Sequence, residues 1–296
     1  MLIASRSIYS QGSGSMQTTI AIIFDFDDTL APDSTSSFLH HLGINVNNFW
    51  KNEVSPLIEE GWDPIPAYLF KILELSKNAD SPLITKNKLI NWGAHIEFYQ
   101  GVDSIFERLR NHAKNINPRI KLEFYLISSG IGEILRNTKI AENFKEIWAC
   151  DFSYNQKGEI MFPKKIVSFT DKTRYIFHIS KGIVGKEFIG KPFEVNRKDA
   201  PGKQRIPLDR MIFIGDGYTD VPCFSLVRKA GGTPIAVCDQ DDQKKWGRAW
   251  GFLEDKRVFH WAVADYSEKS TLSASLLMSL ESAIRKIELE QQTYQG

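Results

Sequence analysis

The chain has 296 residues, of which 42% are hydrophobic, 25% charged and 12% aromatic, a composition that suits an ordinary globular protein with a sizeable core. Its 37 basic and 36 acidic side chains leave a net charge of +1, which excludes a long-range field able to gather nucleic acid or an anionic membrane surface. No stretch of the sequence reaches the roughly 18 consecutive apolar residues of a membrane span, so function is expected from a local site.

The first residues, Met1 to Gln17, lack the apolar core of a secretory signal. The run Ser10-Gln11-Gly12-Ser13-Gly14-Ser15 ahead of Met16 reads as a flexible leader or remnant, and residues 1–18 are set apart from the fold. From Thr19, the run Ile20-Ala21-Ile22-Ile23-Phe24 is continuous, apolar and rich in β-branched residues, the signature of a strand buried on both faces. Some 90 residues of helical periodicity follow, including Ala67 to Leu75 and Lys86 to Phe98, too many for one crossover helix. They are assigned to an inserted α-helical cap domain, residues 33–100, on a core of residues 19–32 and 101–296.

An amphipathic helix from Gly101 through Leu109 returns the chain to the sheet, and Leu122 to Ile127 forms the second buried strand. Residues Ile147 to Met161 read as a strand with a hairpin turn at Asn155-Gln156-Lys157-Gly158, and Lys172 to Lys181 as a helix. The stretch from Gly182 to Pro207, rich in Gly, Lys and Pro, is expected to be an exposed excursion with a solvated basic surface. Met211 to Ile214 and Pro234 to Val237 repeat the buried-strand pattern, and Leu272 to Leu289 has helical spacing. Strands alternating with helices predict a doubly wound, mainly parallel α/β sheet of Rossmann-like type.

The three cysteines, Cys150, Cys223 and Cys238, are odd in number and form no CxxC pair, which argues against a disulfide framework or zinc and fits a cytoplasmic location. The six histidines show no metal-ligand spacing. Trp50, Trp62, Trp92, Phe49, Tyr68 and Phe70 serve either as pocket walls or as core of the helical block.

The acids stand where a site is expected. Asp25-Phe26-Asp27-Asp28-Thr29 ends the first strand and Gly215-Asp216-Gly217-Tyr218-Thr219-Asp220 ends the third. Open α/β sheets bind ligands at the carboxyl ends of their strands. Carboxylates gathered there repel one another unless a divalent cation neutralises them, and oxygen-only ligation points to magnesium. Beside such an ion Asp25 is placed to attack phosphorus, and Asp27 to move the proton of the leaving oxygen.

These residues resemble the haloacid dehalogenase (HAD) superfamily, whose D-x-D-x-T motif corresponds to Asp25, Asp27 and Thr29. The resemblance implies a phosphoryl-binding Ser128, in Leu126-Ile127-Ser128-Ser129-Gly130, with Ser129 and Gly130 offering backbone N–H groups to phosphate. It implies a charge-bearing lysine, here Lys172 with Lys203 as the alternative, and a magnesium site formed by Asp25, the Asp27 carbonyl, Asp216 and Asp220. An acid at Asp27 distinguishes the phosphatases of that family from its dehalogenases. The implied activity is magnesium-dependent hydrolysis of a small phosphorylated metabolite through an aspartyl-phosphate. Transfer to an acceptor other than water, and a non-catalytic sensor of a phosphorylated ligand, are the alternatives. Asp28 reads as a turn or cap contact.

Overall fold

The computed structural model describes residues 18–77, 84–200, 204–240 and 243–293. Of the leader read at residues 1–18, residues 1–17 lie outside the described residues, as does the alternative lysine, Lys203. Seven strands form one sheet: β1 Thr19–Phe24, β2 Lys121–Ile131, β3 Phe144–Tyr154, β4 Ile160–Lys165, β5 Met211–Gly215, β6 Thr233–Cys238 and β7 His260–Val263. Their order is β4-β3-β2-β1-β5-β6-β7, and every neighbouring pair is parallel except β3 with β4. The chain thus works outward from β1 in one direction and then returns to build the other half. The reversal lies at β1, where an open α/β sheet has its ligand crevice.

Helices cover both faces, which explains why all six residues of β1 are buried. Phe24 turns its ring to Phe106 in the Val102–Ile116 helix, with centroids 5.8 Å apart. Phe213 of β5 is level with Ile23, so it faces the other way. Its ring meets Phe224 of the Val221–Lys229 helix at 5.7 Å. The Thr271–Thr293 helix packs beside Val102–Ile116, tied by Arg108 Nη2 to Ser273 Oγ at 2.7 Å, and Phe169–Lys181 packs beside Val221–Lys229.

Between β1 and the Val102–Ile116 helix the chain is helical: Ser34–His41, Val46–Asn48, a π-helical turn at Phe49–Val54, Ser55–Glu59, Pro64–Lys77 and Lys86–Gly93. Asp33 starts this block by accepting the Ser36 N–H at 2.8 Å, and Thr85 caps the Lys86–Gly93 helix through the Lys88 N–H. The block is fastened to the β3–β4 hairpin by Lys86 N–H to the Gly158 carbonyl, 2.9 Å.

Two elements depart from the expectations. β7 and the Gln243–Glu254 helix extend the sheet beyond the four predicted buried strands. The excursion from Gly182 is not wholly exposed, because Val195 and Ile206 are buried and Arg205 Nη1 reaches Glu123 Oε2 at 2.8 Å. All three cysteines are free and buried. Among the described residues no helix is long and apolar enough to cross a membrane.

Candidate active site

Asp25 is the first residue beyond β1 and Asp216 the first beyond β5, so the pairing of these neighbouring strands sets the two carboxylates side by side. The Asp25 N–H continues the ladder to the Ile214 carbonyl at 2.8 Å, fixing its backbone before the chain turns. The turn is tight: the Phe26 carbonyl accepts the N–H groups of Thr29 at 3.2 Å and Leu30 at 2.8 Å. Asp28 takes a left-handed conformation there, φ 56°, a region that Asp tolerates better than most residues. Asp27 then turns its carboxylate to the start of the Ser34–His41 helix, where Oδ1 accepts the Ser34 N–H at 2.7 Å.

Lys172, from the Phe169–Lys181 helix, is fully buried beneath these acids. Its ammonium lies 3.0 Å from Asp25 Oδ2 and 2.7 Å from Asp220 Oδ1, and reaches Thr219 Oγ1 at 3.3 Å, which accounts for all three donors. Burial alone would lower its pKa, but Asp220 and Asp25 outweigh that and hold it above its ordinary value. The other oxygen of Asp25, Oδ1, is buried without a hydrogen-bond partner. Asp25, Asp216 and Asp220 each present a carboxylate oxygen within 4.8 Å of the others, all three residues buried.

That crowding raises the acids. Burial, then the neighbouring Asp220, pushes Asp25 up to about 7 against the pull of Lys172. Asp216 is raised by burial, Asp220 and Asp25, although Arg248 Nη2 holds its Oδ2 at 2.6 Å. Burial and Asp33 raise Asp27, opposed by its bond from Ser34. Asp33 itself is raised by burial, opposed by the cap bond from Ser36. A divalent cation fits this donor set: it answers the mutual repulsion and gives the orphaned Asp25 Oδ1 a partner. Asp220 is suited to bracing the site, since Lys172 takes its Oδ1 and the Gly217 N–H its Oδ2 at 3.2 Å.

A cleft of about 210 Å³ opens over the carboxyl ends of the strands, with Asp25, Asp27, Ser128, Ser129, Gly130 and Asp216 in its lining. Ser128 Oγ accepts the Gly130 N–H at 2.9 Å, and the Ser129 hydroxyl is buried without a partner. Of the residues singled out from sequence, Thr29 stands apart. Its side chain is fully buried and outside the cleft lining, and its carbonyl accepts the Tyr266 hydroxyl at 2.9 Å, which places it in the turn behind the site.

Several contributors carried no readable signal in the sequence. Arg248 on Asp216 and Lys245 on Asp28, at 2.8 Å, come from the unforeseen Gln243–Glu254 helix. Asp33, singled out from sequence only as the start of the helical block, lines the cleft, as do Trp50 and Tyr68, which the sequence left open as pocket walls or core. Gly130 is the exception, because a glycine after Ser-Ser at a strand end signals close approach. A Cβ at this position would lie 2.6 Å from Asp27 Oδ2.

No family model matches the chain. An uncharacterised protein of Borreliella burgdorferi is 29% identical over 282 residues, covering 86% of this chain and 94% of its own length. Among solved structures, a HAD-family hydrolase from Salmonella enterica serovar Typhi superposes with a TM-score of 0.54 at 14% identity, over 83% of this chain and 67% of that one. A phosphoserine phosphatase held as a phospho-aspartyl intermediate analogue gives 0.50 at 17% identity, over 88% of this chain and 98% of that one. A probable phosphoserine phosphatase from Vibrio cholerae gives 0.53 at 12% identity, over 90% and 66%. The chain shares the fold of these HAD-family hydrolase and phosphoserine phosphatase structures. In this shared fold the cleft lies at the reversal of strand order and under the helical block.

Proposed function

We propose that this protein is a magnesium-dependent phosphomonoesterase acting through an aspartyl-phosphate on Asp25. In this reading residues 33–100 are a cap domain on a core of residues 19–32 and 101–296. The observation that carries it is the state of Asp25: one carboxylate oxygen clamped by a fully buried lysine, the other buried and unpartnered within the acidic cluster. Lys172 orients the nucleophile and offsets the charge of an incoming phosphoryl group. Asp25, Asp216 and the Asp27 carbonyl are the groups that would hold magnesium, with Asp220 in support. When bound, the ion supplies positive charge that lets a carboxylate approach a phosphate.

Asp25 attacks phosphorus and the ester oxygen departs with a proton from Asp27, whose burial keeps that proton in place at rest. Asp27 then takes a proton from the water that attacks the aspartyl-phosphate, returning Asp25 and releasing phosphate. Ser128, whose Oγ accepts the Gly130 N–H and keeps its own O–H to give, and the unpartnered Ser129 hydroxyl are the groups of the opposite wall that would bind the phosphoryl oxygens. The small cleft suits a small phosphorylated metabolite.

The test is phosphate release from p-nitrophenyl phosphate in magnesium, by the natural chain and by Asp25→Asn. The variant is expected to keep its melting temperature and lose turnover by about 10³-fold or more. Full activity in Asp25→Asn would remove the nucleophile and with it the reading.

A further inference from the structure

The phosphatase reading leaves the leaving group open, and the far wall of the cleft bears on it. Beyond the phosphoryl end, that wall is built by Asp33, Thr35, Trp50, Pro64, Ile65 and Tyr68. Among the described residues lining the cleft there is no Lys, Arg or His. A substrate phosphate meets Lys172 and a bound divalent ion. A second anion on the leaving group meets nothing that neutralises it, and an uncompensated charge in such a place is costly. Two cations that reach the lining are already paired with its acids, Lys245 with Asp28 at 2.8 Å and Arg248 with Asp216 at 2.6 Å.

The same wall is built for the opposite charge. Asp33 uses Oδ1 to accept the Ser36 N–H at 2.8 Å, and among the described residues no cation pairs with its carboxylate. Beside it stand the rings of Trp50 and Tyr68, with centroids 5.9 Å apart and planes inclined by 53°. Both are locked before any ligand arrives. Trp50 Nε1 donates to Ser36 Oγ at 2.8 Å, and the Tyr68 hydroxyl donates to the Ser129 carbonyl at 2.6 Å. A carboxylate that no described cation pairs with, next to two aromatic rings, is an environment that attracts an ammonium group. The cleft volume of about 210 Å³ is below the usual range of ligand sites, which favours a small leaving group.

We infer that the leaving group carries a positive charge and no carboxylate, so that the substrate class is the phosphate monoester of a small amino alcohol. This rests on the phosphatase reading and adds the charge of the alcohol to it.

The experiment compares kcat/KM in magnesium for 2-aminoethyl phosphate and its neutral isostere 2-hydroxyethyl phosphate. Phosphoglycolate, which is anionic, and phosphoserine, which adds a carboxylate to the same ammonium, complete the series, with p-nitrophenyl phosphate as the reference. The aminoethyl ester is expected to exceed the hydroxyethyl ester by about ten-fold, as one charge-assisted hydrogen bond allows. Phosphoglycolate should fall below the neutral ester, and phosphoserine below the aminoethyl ester. Asp33→Asn keeps the helix cap, since Asn accepts the same N–H, and should bring the cationic-to-neutral ratio to within about two-fold. Because the readout is a ratio, a general loss of rate cancels. Equal rates for the cationic and neutral esters, or a preference for the anionic one, would overturn the inference and leave the phosphatase reading standing. Failure to release phosphate from any ester, p-nitrophenyl phosphate included, would remove both.

Discussion

Asp25 carries a cost when no cation is bound, and the cost has a sign in pH. Its native carboxyl holds a proton up to about pH 7, against an ordinary value of 3.8. Between those two values the native state binds more protons than the unfolded chain. The contribution of this carboxyl to the stability of the cation-free protein is therefore greatest below about pH 4 and is lost as pH rises to about 7. Asp216, raised by the same burial and the same neighbours, adds to the loss. A divalent ion takes over the neutralising role of the protons, and it binds ionised carboxylates. Thermal melts in magnesium and in chelator should therefore diverge as pH is raised from 5 to 8, with the magnesium form increasingly the more stable. A magnesium effect that stays flat or shrinks over this range would argue that the three carboxylates do not form the cation site.

At the level of elements, the carboxyl end of β2 leaves room for the carboxylate of Asp27, the proposed acid/base partner. The strand does not stop at Ile127 but runs on through Ser128 to Ile131, with an irregular register between Ile127 and Ile131. Gly130 sits in that irregular part, where a Cβ would fall 2.6 Å from Asp27 Oδ2 and 3.2 Å from Ser128 Oγ. The obstructing atoms are side-chain ends, so Gly130→Ala should fold, with the Asp27 carboxylate displaced. A displacement of that order is expected to lower kcat by about 10²-fold, with a melting temperature close to that of the natural chain. An unchanged kcat would mean that Asp27 tolerates the shift and that its position is not critical. This division between elements also explains what the sequence revealed. β1, β2, β5 and β6 are buried on both faces, and such strands leave a continuous apolar run. The acids at the ends of β1 and β5 could be read because their strands could. β7 is four residues long with His260 and Trp261 half-buried, and the Gln243–Glu254 helix contains Gly247 and Gly251, so neither shows a clean period. Arg248 and Lys245 went unread with the helix that carries them. Lys172 could be proposed from residue type and the helix that follows it, whereas its contact with Asp25 exists only through the packing of the Phe169–Lys181 helix under the sheet.

For the molecule as a whole, the decisive relation is between the helical block and the strand ends it overlies. The Pro64–Lys77 helix meets the core through the Tyr68 hydroxyl, which donates to the Ser129 carbonyl at 2.6 Å across the cleft. That carbonyl also accepts the Cys150 thiol at 3.3 Å, a weak donor. Tyr68→Phe removes the strong bond and leaves the ring, so its effect isolates the tether. The expected cost is about 1 kcal/mol of stability. It should be concentrated in the block: the amides of Pro64–Lys77 should exchange faster, while those of β1 and β5 keep their protection. If substrate binds the closed arrangement, a smaller closed population raises KM in proportion, by about three-fold. The turnover number should move little, because Asp25, Asp27 and Lys172 belong to the sheet side of the cleft. Uniformly faster exchange through sheet and block alike would mean that the two unfold as one body, and the block could not then act as a lid. Unchanged exchange and an unchanged KM would place the tether elsewhere, with the fastening of Lys86 to the Gly158 carbonyl at 2.9 Å on the hairpin as a further link to test.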